Sequence, residues 1–111
     1  MLYIDFKAGN KEYKLRLTTR SVLSLEKSLG GNPLSIFGNG DQIPEVGKMI
    51  AILHASLQAY HHNITLDDAC DIFDSYLLDG NSMTDFIALI VELYKASGII
   101  PDKETNTIEK N

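Results

Sequence analysis

The chain has 111 residues, of which 44% are hydrophobic and 23% charged, and its formal net charge is −5. This length allows one domain that buries a hydrophobic core without metals or disulfides, and the composition excludes wholesale disorder. The longest apolar run, residues 86–91, is too short to cross a bilayer, and residues 1–5 lack the pattern of a signal peptide. We therefore expect a soluble protein with no membrane association. Its one cysteine, Cys70, fits a reducing cytoplasm.

Charge is distributed unevenly along the chain. Residues 1–30 hold six basic and three acidic groups, whereas residues 63–111 hold three basic and ten acidic groups. The two ends are complementary in sign, which favours head-to-tail self-association or a polarised partner. Solvated faces of unlike helices explain the same pattern equally well.

The first 17 residues predict a β-hairpin. Apolar and polar residues nearly alternate over residues 2–7 and 12–17, and the turn formers Gly9 and Asn10 lie between them. A two-residue turn pairs residues whose numbers sum to 19, which places Leu2 opposite Leu17, Ile4 opposite Leu15 and Phe6 opposite Tyr13. An isolated ribbon is marginal in water, so we expect this apolar face to lie on helices. Its outer edges stay unpaired unless another chain or a loop covers them.

The hydrophobic period then changes from two to about 3.6, which predicts helices. Thr18 or Thr19 caps a first helix with Val22, Leu25 and Leu29 on its inner face, and Gly30 ends it. Leu34, Ile36 and Phe37 form one helical turn that plugs the core. Pro44 opens the second helix, predicted to be the longest and the central one, with an inner face of Val46, Met49, Ile50, Leu53, Leu57 and Tyr60.

Two further helices complete the predicted fold. Thr65 caps the third, whose inner face is Leu66, Ala69, Cys70, Phe73, Tyr76 and Leu77. Ser82 caps the fourth, with Met83, Phe86, Ile87, Ile90 and Tyr94 inward and Leu89, Val91 and Leu93 widening the apolar surface. The predicted class is α+β: a two-stranded antiparallel hairpin packed on a bundle of about four helices. Residues 1–100 form a single domain, and residues 101–111 are predicted to be a disordered polar tail.

The side chains that carry chemistry do not form a recognisable catalytic or metal-binding motif. His54, His61 and His62 lack the spacing of a helical metal site, and we interpret the last two as an exposed helix end. The acids Asp67, Asp71 and Asp74 are most simply a solvated helix face. Cys70 is assigned to the core. We therefore expect no enzymatic activity, no metal and no cofactor.

Nucleic-acid binding is also not expected. A helix-turn-helix reading of the last two helices fails because residues 82–97 offer only Lys95 as a cation. The basic residues of the first 30 positions alternate with acids or lie on a short helix, which is weak support for a phosphate-binding surface.

A resemblance to a known family rests on three short stretches. They are the polar strand end at Arg16–Thr18, the Leu25-Glu26 pair inside the first helix, and the following Gly30. With an all-helical remainder after the ribbon, this pattern resembles the small tail assembly chaperones of long-tailed bacteriophages. The resemblance covers roughly residues 2–100.

The resemblance implies an α+β, non-enzymatic protein of a phage or prophage. Such a chaperone binds the tape measure protein, and in some cases tail tube subunits, during tail morphogenesis. It acts in the host bacterial cytoplasm and is absent from the mature virion. An alternative from another class is a small regulatory or adaptor protein of a mobile element that binds a host protein or nucleic acid. A hydrolase that uses the acidic helix is the weakest hypothesis.

Two surfaces are predicted to bind partners. Leu89 and Leu93 exceed what one core-facing stripe of the last helix needs, so an amphipathic client helix is expected there. Tyr3 and Arg16, on the polar face of the ribbon, are the second candidate pair. The ribbon edge or the last helix is also expected to mediate self-association.

Overall fold

Two antiparallel strands begin the structure, a computed structural model that describes residues 2–38 and 43–102. β1 (Ile4–Ala8) and β2 (Lys11–Leu15) are joined by a two-residue turn. Gly9 in this turn has a φ of 65°, a left-handed conformation that glycine adopts without steric cost. The short turn fixes which residues of the two strands lie opposite each other.

The register of the hairpin confirms the prediction from Ile4 to Leu15, whereas the predicted Leu2–Leu17 pair lies outside the ladder and Leu2 is exposed. Paired residue numbers sum to 19: Ile4 with Leu15, Asp5 with Lys14, Phe6 with Tyr13, Lys7 with Glu12 and Ala8 with Lys11. On the inner face Phe6 and Leu15 are buried, and on the outer face opposite charges stand across from each other. The apolar face rests on helices, as an isolated ribbon requires.

Four α-helices and one short 3-10 helix follow the sheet, and the α+β class is thereby confirmed. They are α1 (Thr19–Leu29), the 3-10 helix Pro33–Phe37, α2 (Val46–Leu57), α3 (Leu66–Leu78) and α4 (Met83–Ala96). Ile36 of the 3-10 helix is buried as predicted, but Leu34 and Phe37, the other two residues of the predicted plug, are exposed, because a helical turn this short directs only one of the three side chains into the core. None of the helices described is long and apolar enough to cross a membrane. Most of the predicted tail, residues 103–111, lies outside the described residues.

Three of the four α-helices, α1, α3 and α4, begin at the cap residues that the sequence predicts. The Thr18 hydroxyl accepts a hydrogen bond from the Ser21 backbone N–H at 3.1 Å. Thr65 and Ser82 each form a capping box. In each box the carboxylate of the aspartate three residues later accepts a hydrogen bond from the backbone N–H of the cap residue. Gly30 ends α1 with a φ of 73°.

The second helix differs from its prediction in its length, in its start and in its inner face, from which Val46 and Tyr60 are excluded because they lie at or beyond its ends and are exposed. It has 12 residues, so the 14-residue α4 is longer. Pro44 was expected at the first helical position, but the helix begins at Val46 after an N-cap at Glu45 that makes no side-chain hydrogen bond. The predicted central position is confirmed, because α2 packs against α1, α3 and β2.

An aromatic cluster joins the hairpin to the last two helices. The rings of Phe6 and Tyr76 lie 5.0 Å apart between centroids, and those of Phe73 and Phe86 lie 5.1 Å apart. Phe6 also meets Phe86 edge to face at 6.1 Å. These contacts bury the inner face of the hairpin against α3 and α4.

The inner face of α3 is rotated from the predicted one. Ala69, Phe73 and Tyr76 are buried as expected, but Ile72 joins them, whereas Leu66 and Cys70 are exposed. The assignment of Cys70 to the core is therefore wrong. The sequence offers two overlapping apolar stripes on this helix, and the aromatic contacts with Phe6 and Phe86 select the one that contains Ile72.

The helices also cover one edge of the hairpin. The backbone N–H of Lys14 donates to Nε2 of His61 at 3.1 Å, and that of Arg16 donates to the Ser56 carbonyl at 2.9 Å. At the turn, the Gly9 N–H donates to a carboxylate oxygen of Asp79 at 2.8 Å. Backbone donors of Lys14 and Arg16 are thus engaged within the molecule, which leaves less of this edge open to strand addition.

Candidate partner-binding groove

An open groove of about 1270 Å³ lies between α1 and α2, and Leu66 at the start of α3 closes one end. Its surface is mostly apolar, and hydroxyl and basic groups are distributed along its rim. An apolar cleft with a few polar groups is the usual form of a binding site in a small domain.

Small residues of α2 form the floor. Gly47, Ala51 and Ala55 recur every four residues, and Ala59 continues the row past the end of the helix. Residues four apart lie above one another on the same helix face. Because none of these side chains extends beyond a methyl group, the groove reaches down to the α2 backbone. A Cβ added at Gly47 would meet no atom within 4 Å, so this end of the floor is open space.

One wall comes from α1. Ser21, Ser24 and Ser28 line it at helical spacing, with Leu25 between them at its base. The wall is as long as α1, which begins after the N-cap residue Thr18 and ends before Gly30. On the opposite side the Gln58 amide donates to the carbonyls of His54 and Ile64, at 3.1 and 2.9 Å, and fixes the chain where α2 ends.

The charged groups of the groove are all basic. Arg20, His54 and His62 line it, and no aspartate or glutamate is among the lining residues that the structure describes. Arg20 carries a permanent positive charge at neutral pH. The groove is therefore suited to a partner that presents an apolar strip with acidic residues beside it.

The four residues predicted to bind partners lie elsewhere. Leu93 is only 1% exposed and belongs to the core, so the expectation that it faces outward is wrong. Leu89 is half-buried and packs against the core. Ile90 and Tyr94, four residues apart, lie on the same face of α4 and contact the core. The buried face of α4 is wide enough to include Leu93, which lies beside them.

Tyr3 and Arg16 lie at the open end of the hairpin. Arg16 donates from Nη1 to the Leu2 carbonyl at 2.7 Å, which ties this end together. Tyr3 meets Tyr60 edge to face at 5.6 Å, and the Lys14 ammonium lies 4.9 Å from the centre of the Tyr3 ring. Both side chains are half-buried by contacts within the chain, and their role in binding stays a prediction.

His61 is part of the fold and not a loose helix end as expected. Its Nε2 accepts the Lys14 N–H, and its ring meets Tyr13 edge to face at 5.3 Å. Burial lowers the pKa of His61 from its ordinary value of 6.5, and the charges of Lys14 and His62 lower it further. The neutral ring, protonated on Nδ1, is the form that this contact requires.

The acids of α3 form an exposed surface. Asp67, Asp71 and Asp74 are all exposed on the helix face opposite the core, as is Cys70. Within residues 2–38 and 43–102, no group of three or more histidine, cysteine or acidic residues could hold a metal ion. This face is therefore an acidic helix surface without the geometry of a metal centre.

The small residues of the groove, Gly47, Ala51 and Ala55, were not predicted as a site because large apolar and reactive side chains give the stronger sequence signals. The available signal was the four-residue recurrence of glycine and alanine on α2, matched by serines on α1.

Comparison with known families matches residues 4–111 to the family described as "Family of unknown function (DUF6096)".

The chain belongs to this family. The match spans both the hairpin and all four helices, so the groove and the acidic α3 face are parts of the DUF6096 region. No curated protein and no solved structure matches the chain.

Proposed function

We propose that this DUF6096 protein is a non-enzymatic phage tail assembly chaperone that holds an amphipathic helix of the tape measure protein in the groove between α1 and α2. The observation that carries the proposal is the groove itself, an apolar cleft of about 1270 Å³ on a small protein. The alternative function, a regulatory or adaptor protein of a mobile element, is distinguished from this proposal by the test below.

The dimensions of the groove suit a helix. The 12 residues of α2 extend over about 18 Å, or three turns of a partner helix. A floor of glycine and alanine permits close approach, so that large apolar side chains of the partner, spaced three and four residues apart, fill the cleft. Tape measure proteins of the resembled family are long and helical and offer such segments.

The residues that carry the family resemblance also shape the groove. Thr18 caps α1, Leu25 lies at the base of the groove wall, and Gly30 ends the helix. Two residues of the pattern that resembles the tail assembly chaperones, Thr18 and Leu25, thus line the cleft. This coincidence supports a shared binding mode, with tail tube subunits as a second client.

Gly47→Phe tests the proposal by filling the groove. Its φ is not left-handed and its Cβ direction is open, so the substitution leaves the fold intact. Ala88→Phe, at an exposed position of α4 outside the groove, is the matched control. Each variant is co-expressed with the tape measure protein of the same phage or prophage, and the complex is recovered by a tag on this chain.

We expect Gly47→Phe to reduce recovery of the tape measure protein about tenfold or more, because the aromatic ring occupies the place of the client side chains. Ala88→Phe should bind like the unsubstituted protein. Equal recovery with both variants would overturn the groove as the client site. No recovery of the tape measure protein with the unsubstituted chain would favour the adaptor alternative.

The same proposal places the protein in the host bacterial cytoplasm and outside the mature virion. Mass spectrometry of lysates and purified particles checks this directly. The protein should be abundant in the lysate and missing from particles that contain the tape measure protein.

A further inference from the structure

We infer that the α1–α2 groove of one molecule takes the acidic outer face of α3 from a second copy of this chain, so that copies associate head to tail. The inference goes beyond the proposed function, because it uses only the shape and charge of the two surfaces and does not depend on any client.

The outer face of α3 is defined by five exposed residues: Asp67, Cys70, Asp71, Asp74 and Leu78. At 3.6 residues per turn they fall within about 100° of arc, and the buried residues of α3 lie opposite. Among the large apolar side chains of residues 2–38 and 43–102, Leu78 is the most exposed, at 86%. This face therefore combines acidic groups with one unpartnered apolar side chain.

The groove is complementary to this face in charge. It presents Arg20, His54 and His62 and, among its described lining residues, no acid. The complementarity extends over the whole sequence, since residues 1–30 carry a net charge of +3 and residues 63–111 carry −7. Opposite charges on the groove and on the α3 face favour a head-to-tail orientation when two copies meet.

The two surfaces also agree in shape. α3 has 13 residues and α2 has 12, so the face and the groove floor have nearly equal lengths. The glycine and alanine floor admits a helix, and an apolar pocket is available to Leu78. Within one molecule α3 packs against α2 through its opposite face, so its outer face reaches only the groove of another copy.

Because the groove and the α3 face are different surfaces, a dimer formed through them still has one free groove and one free α3 face. Each added copy leaves one free groove and one free α3 face, which produces rings or short chains. Client binding and self-association then compete for the same groove. The associated form holds the groove closed to other apolar segments until a client helix displaces the neighbouring copy.

Paired charge reversals test the inference. Arg20→Glu reverses the sign of the charge in the groove. The double variant Asp71→Lys with Asp74→Lys reverses the sign of the charge on the α3 face. All three side chains are exposed and make no hydrogen bond within the described residues, so the fold is retained. Thermal unfolding of each variant verifies this before association is measured by sedimentation velocity across concentration.

The unsubstituted protein should form species larger than a dimer as concentration rises, while each reversed variant alone should stay monomeric, with self-association weakened about tenfold or more. In an equimolar mixture, the intact α3 face of the Arg20→Glu variant meets the intact groove of the other variant, and the reversed groove meets the reversed face with opposite charge. The mixture should therefore regain species larger than a dimer. A monomeric unsubstituted protein at high micromolar concentration, unchanged association of either variant, or a mixture that stays monomeric would each overturn the inference.

Leu78→Ser supplies an uncharged test of the same contact, with Leu23→Ser as the matched control at an exposed position of α1 that does not line the groove. Leu78→Ser should weaken association and Leu23→Ser should not. Equal effects of the two substitutions would mean that general surface hydrophobicity drives association, and the inference would be wrong.

Discussion

His61 shows how one side chain connects the hairpin to the helices. Its neutral ring accepts the Lys14 N–H, which would otherwise face outward from the edge of β2. A protonated imidazole has no lone pair to offer, so acid breaks the contact. The edge of the ribbon is therefore closed at neutral pH and loses part of its cover in acid.

The first prediction concerns the pH dependence of stability. Because the pKa of His61 is lowered in the folded state, its contribution to stability is complete above the unfolded value of 6.5 and is lost as the pH falls through the folded value. His61→Gln keeps a neutral acceptor, so it should lose less stability than the unsubstituted protein between pH 7.5 and 5. Urea unfolding at several pH values measures this.

His62→Gln is the matched control for that measurement. His62 is exposed and its replacement leaves the His61–Lys14 contact in place, so His62→Gln should retain the loss of stability in acid that His61→Gln removes, although it takes away one of the charges that lower the pKa of His61. If His61→Gln and the unsubstituted protein lose equal stability in acid, the neutral-acceptor role of His61 is wrong.

The second prediction separates the two leucines of α4. Leu93 is fully enclosed, so Leu93→Ala should lower the free energy of unfolding by about 2–5 kcal/mol through lost burial and a cavity. Leu89 is only half-buried, and Leu89→Ala should cost less than half as much. Chemical denaturation of both variants is the measurement, and a larger loss at Leu89 would contradict the placement of the α4 core face.

At the scale of elements, strand register and helix ends follow from local chemistry and were predictable. A two-residue turn permits one register, and the alternation of residues 2–7 agrees with it. Thr18, Thr65 and Ser82 offer side-chain oxygens to free backbone N–H groups wherever the chain enters a helix. These signals depend only on neighbours in sequence.

The orientation of helix faces was less predictable because it depends on contacts distant in sequence. Apolar residues cover more than half the circumference of α3 and α4, so the periodicity alone does not choose between adjacent stripes. The ring of Phe6, about 70 residues away from α3, selects Tyr76 and Phe73 and leaves Cys70 exposed. The groove was missed for a similar reason, since a row of glycine and alanine becomes a floor only when α1 packs beside it.

The third prediction concerns the capping box of α4. The Ser82 hydroxyl accepts from the Asp85 N–H at 3.1 Å, and the Asp85 carboxylate accepts from the Ser82 N–H at 2.8 Å. Ser82→Ala should lower the free energy of unfolding by about 1 kcal/mol. Thr84→Ala, in the same first turn but exposed and outside the box, should change it little. Equal losses in urea unfolding would show that the box adds no stability.

At the scale of the molecule, the fold separates a stable core from a binding surface. The aromatic cluster and the hydrogen bonds on β2 hold the hairpin against the helices, and they leave the α1–α2 groove and the outer face of α3 exposed. The two surfaces differ in charge: the groove is basic and the outer face of α3 is acidic. The proposed chaperone role needs this division, because a client has to bind and leave without loss of the fold.

Site-specific photo-crosslinking measures the central claim most directly. A photoreactive residue at Ser24, exposed on the groove wall, is compared with one at Ala88 on α4 during co-expression with the tape measure protein. The account predicts crosslinks from Ser24 to one amphipathic helical segment of the tape measure protein and none from Ala88. Crosslinks from Ala88 alone, or none from Ser24 when the tape measure protein co-purifies, would contradict it.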